Sequence, residues 1–413
     1  MSTLKSRLKR WPLAATVNAA IKAQSMERHV AFTRRRHERA LQRGELIVPE
    51  GSAFRDALRI RLGDRPERRG WPKRCGDLHL FLMYAVRNWE SVLPKALAPF
   101  GHVSTFEWRS HGFDESAPDW PNRREEMNRA LLAAFRAATA RRPVDVVVGY
   151  VSGATIAPEI LVAMAQEGAV VTNFCFDDKV HWPGDRIGGR YTSPAAIAHA
   201  VDLNLTSDPN GISRYAARRG LAIFHPEAAD PEVYQPLEVP FEYDVSFIGS
   251  RFGWRPSFIA QLERMGIRVA CFGEGWRNGS IRNEDMSIIY AKSRVNLGFG
   301  GIGHSRKLVC LKGRDFEVPM SGAVYLTQHN PELALVFDIG REVLTYRDVQ
   351  DCARNIREVL ADESRAAEIR GAARARSLRD HTYFARWRPV LETLGALAPE
   401  ALEYSFRGPS QAL

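Results

Sequence analysis

The stretch AKSRVNLGFGGIGHSRKLVCLKGRDFEVPMSGAVYLTQHNPELALVFDIGREVLTY, residues 291–346, decides how this chain folds. A short apolar run, Val295 to Phe299, ends among Gly298, Gly300, Gly301 and Gly303. Arg306, Lys307, Lys312 and Arg314 follow, and Glu317 opens an apolar segment that reads as a helix closed by Gly322. Ala323 to Thr327 then reads as a strand. Strand, glycine-rich loop, helix and strand is how an open α/β sheet builds a phosphate site. Glycines let backbone N–H groups approach an anion, and a helix N-terminus adds positive potential. Lys312 and Arg314 supply full charges, and Glu317 can accept both hydroxyls of a ribose. The composition fits a nucleotide diphosphate. The same glycines also fit an ordinary turn.

Outward from this segment, strands and helices alternate. LHLFLMYA, HVSTFEW, VDVVVGY, AVVTNFCF, VDLNLTS and LAIFHP read as strands between residues 78 and 226. VDVVVGY is an unbroken apolar run, typical of a strand covered on both faces. The pattern restarts after the Pro-rich connector PEAADPEVYQPLEVPFEY with DVSFIGS and IRVACFG, and later EVLTY. Helices are expected at about Glu125 to Ala140, Arg255 to Met265 and over 349–360, 363–378 and 383–395. Such alternation predicts parallel, doubly wound sheets. The expected domains are a basic helical extension over 1–75, an N-terminal Rossmann-like domain over 76–236 and a C-terminal one over 237–413.

Three ordered blocks carry a resemblance: GRDFEVPMSGAVYLT, NPELALVFDIGREVLTY and DHTYFARW, Asp380 to Trp387. Together they resemble the C-terminal half of the CgeB-like group of glycosyltransferases, closely over about 240–390 and more loosely over about 76–235. The resemblance implies the GT-B architecture, two Rossmann-like domains facing across a cleft. It implies a nucleotide-sugar donor on the C-terminal domain and an acceptor on the N-terminal one, with retention of anomeric configuration. It also implies that Lys and Arg replace a metal at the diphosphate. Many retaining members carry two glutamates separated by seven residues. Glu317 matches the second, which contacts the donor ribose; the first falls on Val309, which is not acidic.

Open α/β sheets bind ligands beyond the carboxyl ends of their strands, and this selects the remaining candidates. Gly249, Ser250 and Arg251 follow DVSFI, where the resemblance implies the donor diphosphate. Arg255 is either a second phosphate ligand or a solvated residue before Pro256. Gly273, in the turn Phe272 to Trp276, lies near the nucleobase or in a plain turn. The expected donor-binding set is Gly249, Arg251, Gly273, Gly301, Lys312, Arg314 and Glu317. Lys312 and Arg314 double as the stabilisers of leaving-group charge. Arg314 also fits a structural pairing with Glu317, three residues on.

In the N-terminal half, Asp177 and Asp178 end a strand and could bind an acceptor hydroxyl or act as base, with Asp178 as the catalytic candidate; a strand-end Asp pair is also a common cap. His225, Tyr150, Ser152, Gly153, Arg87 and Asn88 are further strand-end residues, His225 as either a cleft or a packing residue.

The chain has 413 residues, 45% hydrophobic and 26% charged, as for a soluble globular protein. No run approaches the ~18 apolar residues of a membrane span. The N-terminus reads as a weak amphipathic helix rather than a secretory signal. Five scattered cysteines have no metal or redox spacing and suit a reducing cytoplasm. The net charge is +10, yet residues 1–75 hold 19 Lys and Arg against 7 acids. The basic excess therefore belongs to the extension. Its expected partner is an anionic membrane surface, with a solvated helix as the plain alternative; nucleic acid is disfavoured because no aromatic interleaving accompanies RRRHER at 34–39.

These features predict a cytoplasmic glycosyltransferase, peripheral at the inner membrane and needing no cofactor. It would move a sugar from a nucleotide diphosphate to a hydroxyl of a glycan, lipid-linked or protein acceptor, in cell-surface glycan synthesis. A non-catalytic sugar-nucleotide or glycan-binding protein of envelope or spore-coat type, favoured by Val309, is the first rival. A sugar-nucleotide epimerase is the second.

Overall fold

A computed structural model describes residues 12–84, 92–182, 184, 186–187 and 190–399. Thirteen strands are present among them: β1 Leu78–Tyr84, β2 Gly101–Glu107, β3 Val146–Gly149, β4 Val170–Cys175, β5 Arg186–Ile187, β6 Arg190–Tyr191, β7 Leu203–Thr206, β8 Ala222–Phe224, β9 Tyr243–Ile248, β10 Val269–Phe272, β11 Ser293–Leu297, β12 Tyr325–Gln328 and β13 Leu344–Tyr346. The principal helices are α1 Pro12–Gln42, α2 Gly51–Leu62, α3 Trp120–Arg141, α4 Pro158–Gln166, α5 Arg255–Arg264, α6 Asn283–Ala291, α7 Arg314–Met320, α8 Val349–Ala361, α9 Glu363–Asp380 and α10 Tyr383–Thr393.

Two parallel sheets result, ordered β2-β1-β3-β4-β7-β8 and β10-β9-β11-β12-β13. Each sheet reverses its strand order once, between β1 and β3 in the first and between β9 and β11 in the second. Such reversals leave a crevice at the carboxyl ends of the strands.

The chain divides into two compact units. One holds Met1–Arg34 and Glu227–Thr382; the other holds Arg35–Pro226 and Tyr383–Leu413. This departs from the expected boundaries at 75 and 236 in three ways, each with a packing cause.

First, residues 51–75 are no extension. Arg65 is buried and donates to both oxygens of Asp202, at 2.7 Å each, and to the Ala169 carbonyl at 2.9 Å. Lys73 pairs with buried Asp145 at 2.7 Å, and Trp71 Nε1 donates to the same carboxylate at 3.1 Å. Second, α10 belongs with the first sheet rather than the second. Period-2 alternation sends Leu78, Leu80 and Leu82 of β1 to one face, where they join Leu58 and Leu62 of α2 and Trp387, Val390 and Leu391 of α10 in one core. Phe81 and Met83 point to the other face, into a core with Leu131 and Phe135 of α3 and Leu161 of α4.

Third, the early part of α1 packs on the other unit. Glu27 accepts a hydrogen bond from Ser305 Oγ at 2.6 Å. The Met26 methyl lies 3.4 Å from where a Cβ on Gly303 would stand. The core of that unit joins Val245 and Phe247 of β9, Phe258 and Leu262 of α5, Val295 and Leu297 of β11, and Tyr346, Cys352 and Ile356. Among the described residues no helix is long and apolar enough to cross a membrane.

Candidate functional site

The order reversal of the second sheet puts the ends of β9 and β11 side by side, and the candidate site forms there. β9 runs into Gly249 and Ser250. Gly249 has φ of 154°, and a Cβ there would meet Phe247 Cζ at 2.8 Å and an Arg314 guanidinium nitrogen at 3.2 Å. Gly273, at the end of β10, lies directly behind: its Cβ would stand 2.5 Å from the Gly249 carbonyl oxygen. Both glycines therefore serve to bring backbone close to backbone and to seat the 249–250 turn against Arg314.

Two arginines converge on this turn. The guanidinium carbons of Arg314 and Arg255 lie 5.5 and 5.6 Å from the Phe247 ring centroid. Arg255 donates to the Ser250 carbonyl at 3.1 Å and makes no ion pair among the described residues. Burial pushes Arg255 down to about 10, and the charge of Arg314 adds to the shift. Arg314 starts α7 and finds no hydrogen-bond acceptor among the described residues, and its Nε is buried without a partner. Burial works against the Arg314 charge, but Tyr325, Tyr290, Glu317 and Asp315 outweigh it and raise its pKa. A part-buried guanidinium with unused donors is costly unless something binds it.

Glu317 lies one turn along α7. It accepts from Tyr290 OH at 3.1 Å and forms no salt bridge with Arg314. Burial pushes its carboxyl up, while Arg314 and hydrogen bonds from Tyr290 and Tyr234 pull against that. Asp315 is buried. It accepts from Tyr325 OH at 2.7 Å and from the Lys312 backbone N–H at 2.8 Å. Burial pushes Asp315 up to about 6. Lys312 thus enters the local geometry through its main chain, holding the entry to α7.

The structure brings Gly249, Arg314 and Glu317 together, with Gly273 as support, and adds Arg255. Arg251 is exposed, with its guanidinium carbon 5.6 Å from the Trp276 ring centroid. Gly301 is set by packing: a Cβ there would meet the Ser305 carbonyl at 2.5 Å and Trp254 Nε1 at 3.0 Å. The glycine-rich loop also closes on itself, Ile302 N to Leu308 O at 2.9 Å and Cys310 N to Gly300 O at 3.1 Å. Its amides are partly spent in that hairpin, so the two arginines, more than the loop, carry the site's positive character. Tyr290 and Tyr325 escaped the sequence reading because tyrosines inside apolar runs look like core until the fold aims their hydroxyls; Tyr234, in the Pro-rich connector, and Asp315, beside Arg314, carried no signal of their own.

In the other unit, Asp178 does not reach solvent. It is fully buried at the start of a short helix and accepts from Tyr215 OH at 2.8 Å. Burial pushes its carboxyl up to about 6. The exposed neighbour is Asp177, which accepts from Tyr150 OH at 3.3 Å. Asp177 lines a pocket of about 440 Å³ with Trp108, Tyr150, Ser152, Phe174 and His181. Arg87 and Asn88 lie outside the described residues.

His225 is buried, its ring centroid 5.1 Å from that of Trp387. Burial, with the charge of Arg386, pushes it from 6.5 down to about 3. The unfolded chain takes up this proton below pH ~6.5 and the folded chain does not until about 3, so the His225 contribution is lost as pH falls through that window. Asp178 and Asp315 act oppositely between about 4 and 6, so the test is a difference. From pH 6.5 to 5, His225→Leu should gain on wild type by roughly 2 kcal/mol in urea unfolding. Parallel pH profiles for the two proteins would show that the ring titrates freely.

The architecture has known counterparts. Sucrose-phosphate synthase from Thermosynechococcus elongatus aligns with a TM-score of 0.54 at 14% identity, over 77% of this chain and 98% of that one. Anabaena HepE, solved with UDP and glucose, aligns with a TM-score of 0.52 at 11% identity, over 78% of this chain and 100% of that one. A glycosyltransferase from Rickettsia africae gives 0.50 at 9% identity, over 77% and 98%. At these identities the likeness establishes the fold: two parallel-sheet α/β units of the GT-B class.

Residues 255–392 match the glycosyl transferase-like family. The match begins at Arg255 and takes in Arg314 and Glu317, so it covers most of the residues gathered around the 249–250 turn. No curated protein sequence matches the chain.

Proposed function

We propose that this protein is a glycosyltransferase of the CgeB-like kind, using a nucleoside-diphosphate sugar held at the carboxyl ends of β9 and β11. One observation carries the reading: the part-buried Arg314 guanidinium beside Gly249, with no acceptor among the described residues, lies next to Arg255, which makes no ion pair among them. A diphosphate supplies an anionic partner that neither has among the described residues. Its oxygens accept charge-assisted hydrogen bonds from the two guanidiniums. As the bond to the anomeric carbon breaks, negative charge grows on the diphosphate, and fixed positive charge there lowers the barrier. The arginines fill the role a metal takes in other sugar transferases. Glu317, held by Tyr290, accepts from a ribose hydroxyl. The acceptor is a hydroxyl, and the product is a glycan or glycoconjugate of the cell surface.

Val309 gives a second reading some support. It stands where a paired-glutamate enzyme has a carboxylate, and it packs 3.7 Å from the Cβ position of Gly300. A protein that binds nucleotide sugars without turnover would tolerate this. Incubation with a panel of nucleotide sugars and hydroxyl acceptors separates the two: transfer or donor hydrolysis supports the enzyme, and saturable binding without turnover supports the binder. Absence of any binding removes both.

Glu317→Ala should weaken nucleotide-sugar affinity by about 10- to 150-fold while circular dichroism stays unchanged. The lost interaction is a carboxylate hydrogen bond worth ~1.5–3 kcal/mol. Unaltered affinity by calorimetry would remove Glu317 from the ribose.

A further inference from the structure

The basic excess of residues 1–75 is of two kinds. Arg61, Arg65, Arg69 and Lys73 donate to carbonyls or carboxylates of the Arg35–Pro226 unit, and Arg59 and Arg68 pair with Asp56 and Asp64 on their own segment. These charges are already answered. Arg28, Arg35, Arg36 and Arg39 of α1 are exposed and form no ion pair among the described residues.

Their placement is regular. At 3.6 residues per turn, positions 21, 28, 32, 35 and 39 fall on one line along a helix. That line reads Ile21, Arg28, Phe32, Arg35, Arg39, with His29 and Arg36 at its margin. Ile21 is 60% exposed and Phe32 63%. Met26, Glu27, Val30, Thr33 and His37 lie on the opposite side and are half-buried. Met26 and Glu27 make the contacts with the 303–305 loop described above. The two acidic residues of α1 among those with described side chains, Glu27 and Glu38, both lie off the exposed line.

We infer that this stripe is a docking surface for an anionic lipid bilayer, with α1 lying along the membrane plane. Four unpaired arginines answer the headgroup phosphates. Ile21 and Phe32, about 16 Å apart along the helix, are apolar anchors that enter the headgroup–acyl boundary. The anchors select the partner: a nucleic acid backbone would satisfy the arginines but leave both apolar side chains in water. The opposite face is already committed to protein, so the helix lies on the surface without crossing it. This surface does not depend on the donor site.

The test uses the full chain and vesicles of phosphatidylcholine, with or without phosphatidylglycerol. Wild type should co-sediment with the anionic vesicles, release with rising salt and ignore the neutral ones. Each arginine at the surface is worth about fivefold in partitioning. Arg28→Gln/Arg35→Gln/Arg39→Gln and, separately, Ile21→Ser/Phe32→Ser should each bind at least about tenfold more weakly. UDP affinity should be unchanged in both. The inference is overturned if wild type ignores anionic vesicles, if both variants bind them like wild type, or if wild type prefers duplex DNA or RNA at physiological salt. Failure of wild type to bind UDP would instead count against the donor site and leave the vesicle result standing.

Discussion

Arg314→Ala should lower kcat/KM for glycosyl transfer by about 10² to 10³, the largest functional effect expected from a single substitution in this protein. The guanidinium is fixed between Gly249 and the Phe247 ring, so it pays no reorganisation when charge develops on the leaving diphosphate. It has no hydrogen-bond acceptor among the described residues, so no ion pair is broken, but Glu317 and Asp315 lose the nearby positive charge that holds their carboxyls down, so circular dichroism and urea unfolding of the variant accompany the kinetics. The loss should fall more on turnover than on donor affinity, because the interaction strengthens as the bond breaks. Arg314→Lys should recover only part of it, since an ammonium keeps the charge but not the planar fork. Steady-state kinetics of both variants, beside UDP calorimetry, provide the check. Wild-type turnover in Arg314→Ala would move the diphosphate elsewhere.

The second large effect concerns stability. Arg65→Ala should cost about 3–5 kcal/mol in urea unfolding of the unit that holds it. Arg65 and Asp202 are both buried, the contact is bidentate, and Asp202 also accepts the Val171 N–H at 2.8 Å. Taking Arg65 away leaves a buried carboxylate without its bidentate partner, with only the more distant charge of Arg61 to answer it. A loss below 1 kcal/mol would mean that water reaches Asp202.

The fold was legible because its evidence is local. Val146 to Val148 can only be a strand covered on both faces, and Tyr243 to Ile248 restarts the alternation after a proline-rich connector. Unit membership was not legible, because it depends on which face a distant segment covers. Nothing in YFARW says that Trp387 packs with strands about 300 residues earlier in the chain. Charge counting failed over residues 51–75 for a related reason. A sequence tallies Arg65 as an excess cation and cannot show that Asp202 neutralises it.

The site was legible in part. Gly249, Arg314 and Glu317 follow strand ends or start a helix, and strand ends are where ligands bind. Gly301 was ambiguous because close packing and phosphate approach both require a missing side chain; the Ser305 carbonyl and Trp254 beside it account for it by packing. A sequence could not separate Asp177 from Asp178: past the end of β4 the first helical turn leaves Asp177 exposed and buries Asp178 against Tyr215. Arg255 was undervalued because Pro256 marked it as a solvated helix start.

The two converging arginines bear on how the protein behaves when empty. Both burial and a like-charged neighbour work against the Arg255 charge at the 249–250 turn. Any doubly charged anion that settles there relieves that burden, and sulfate or inorganic phosphate does so without resembling a sugar nucleotide. Stabilisation by such ions grows with the logarithm of their concentration. The melting temperature of this protein should therefore report on the anions in its buffer as well as on its packing, and the same ions should compete for the proposed donor seat.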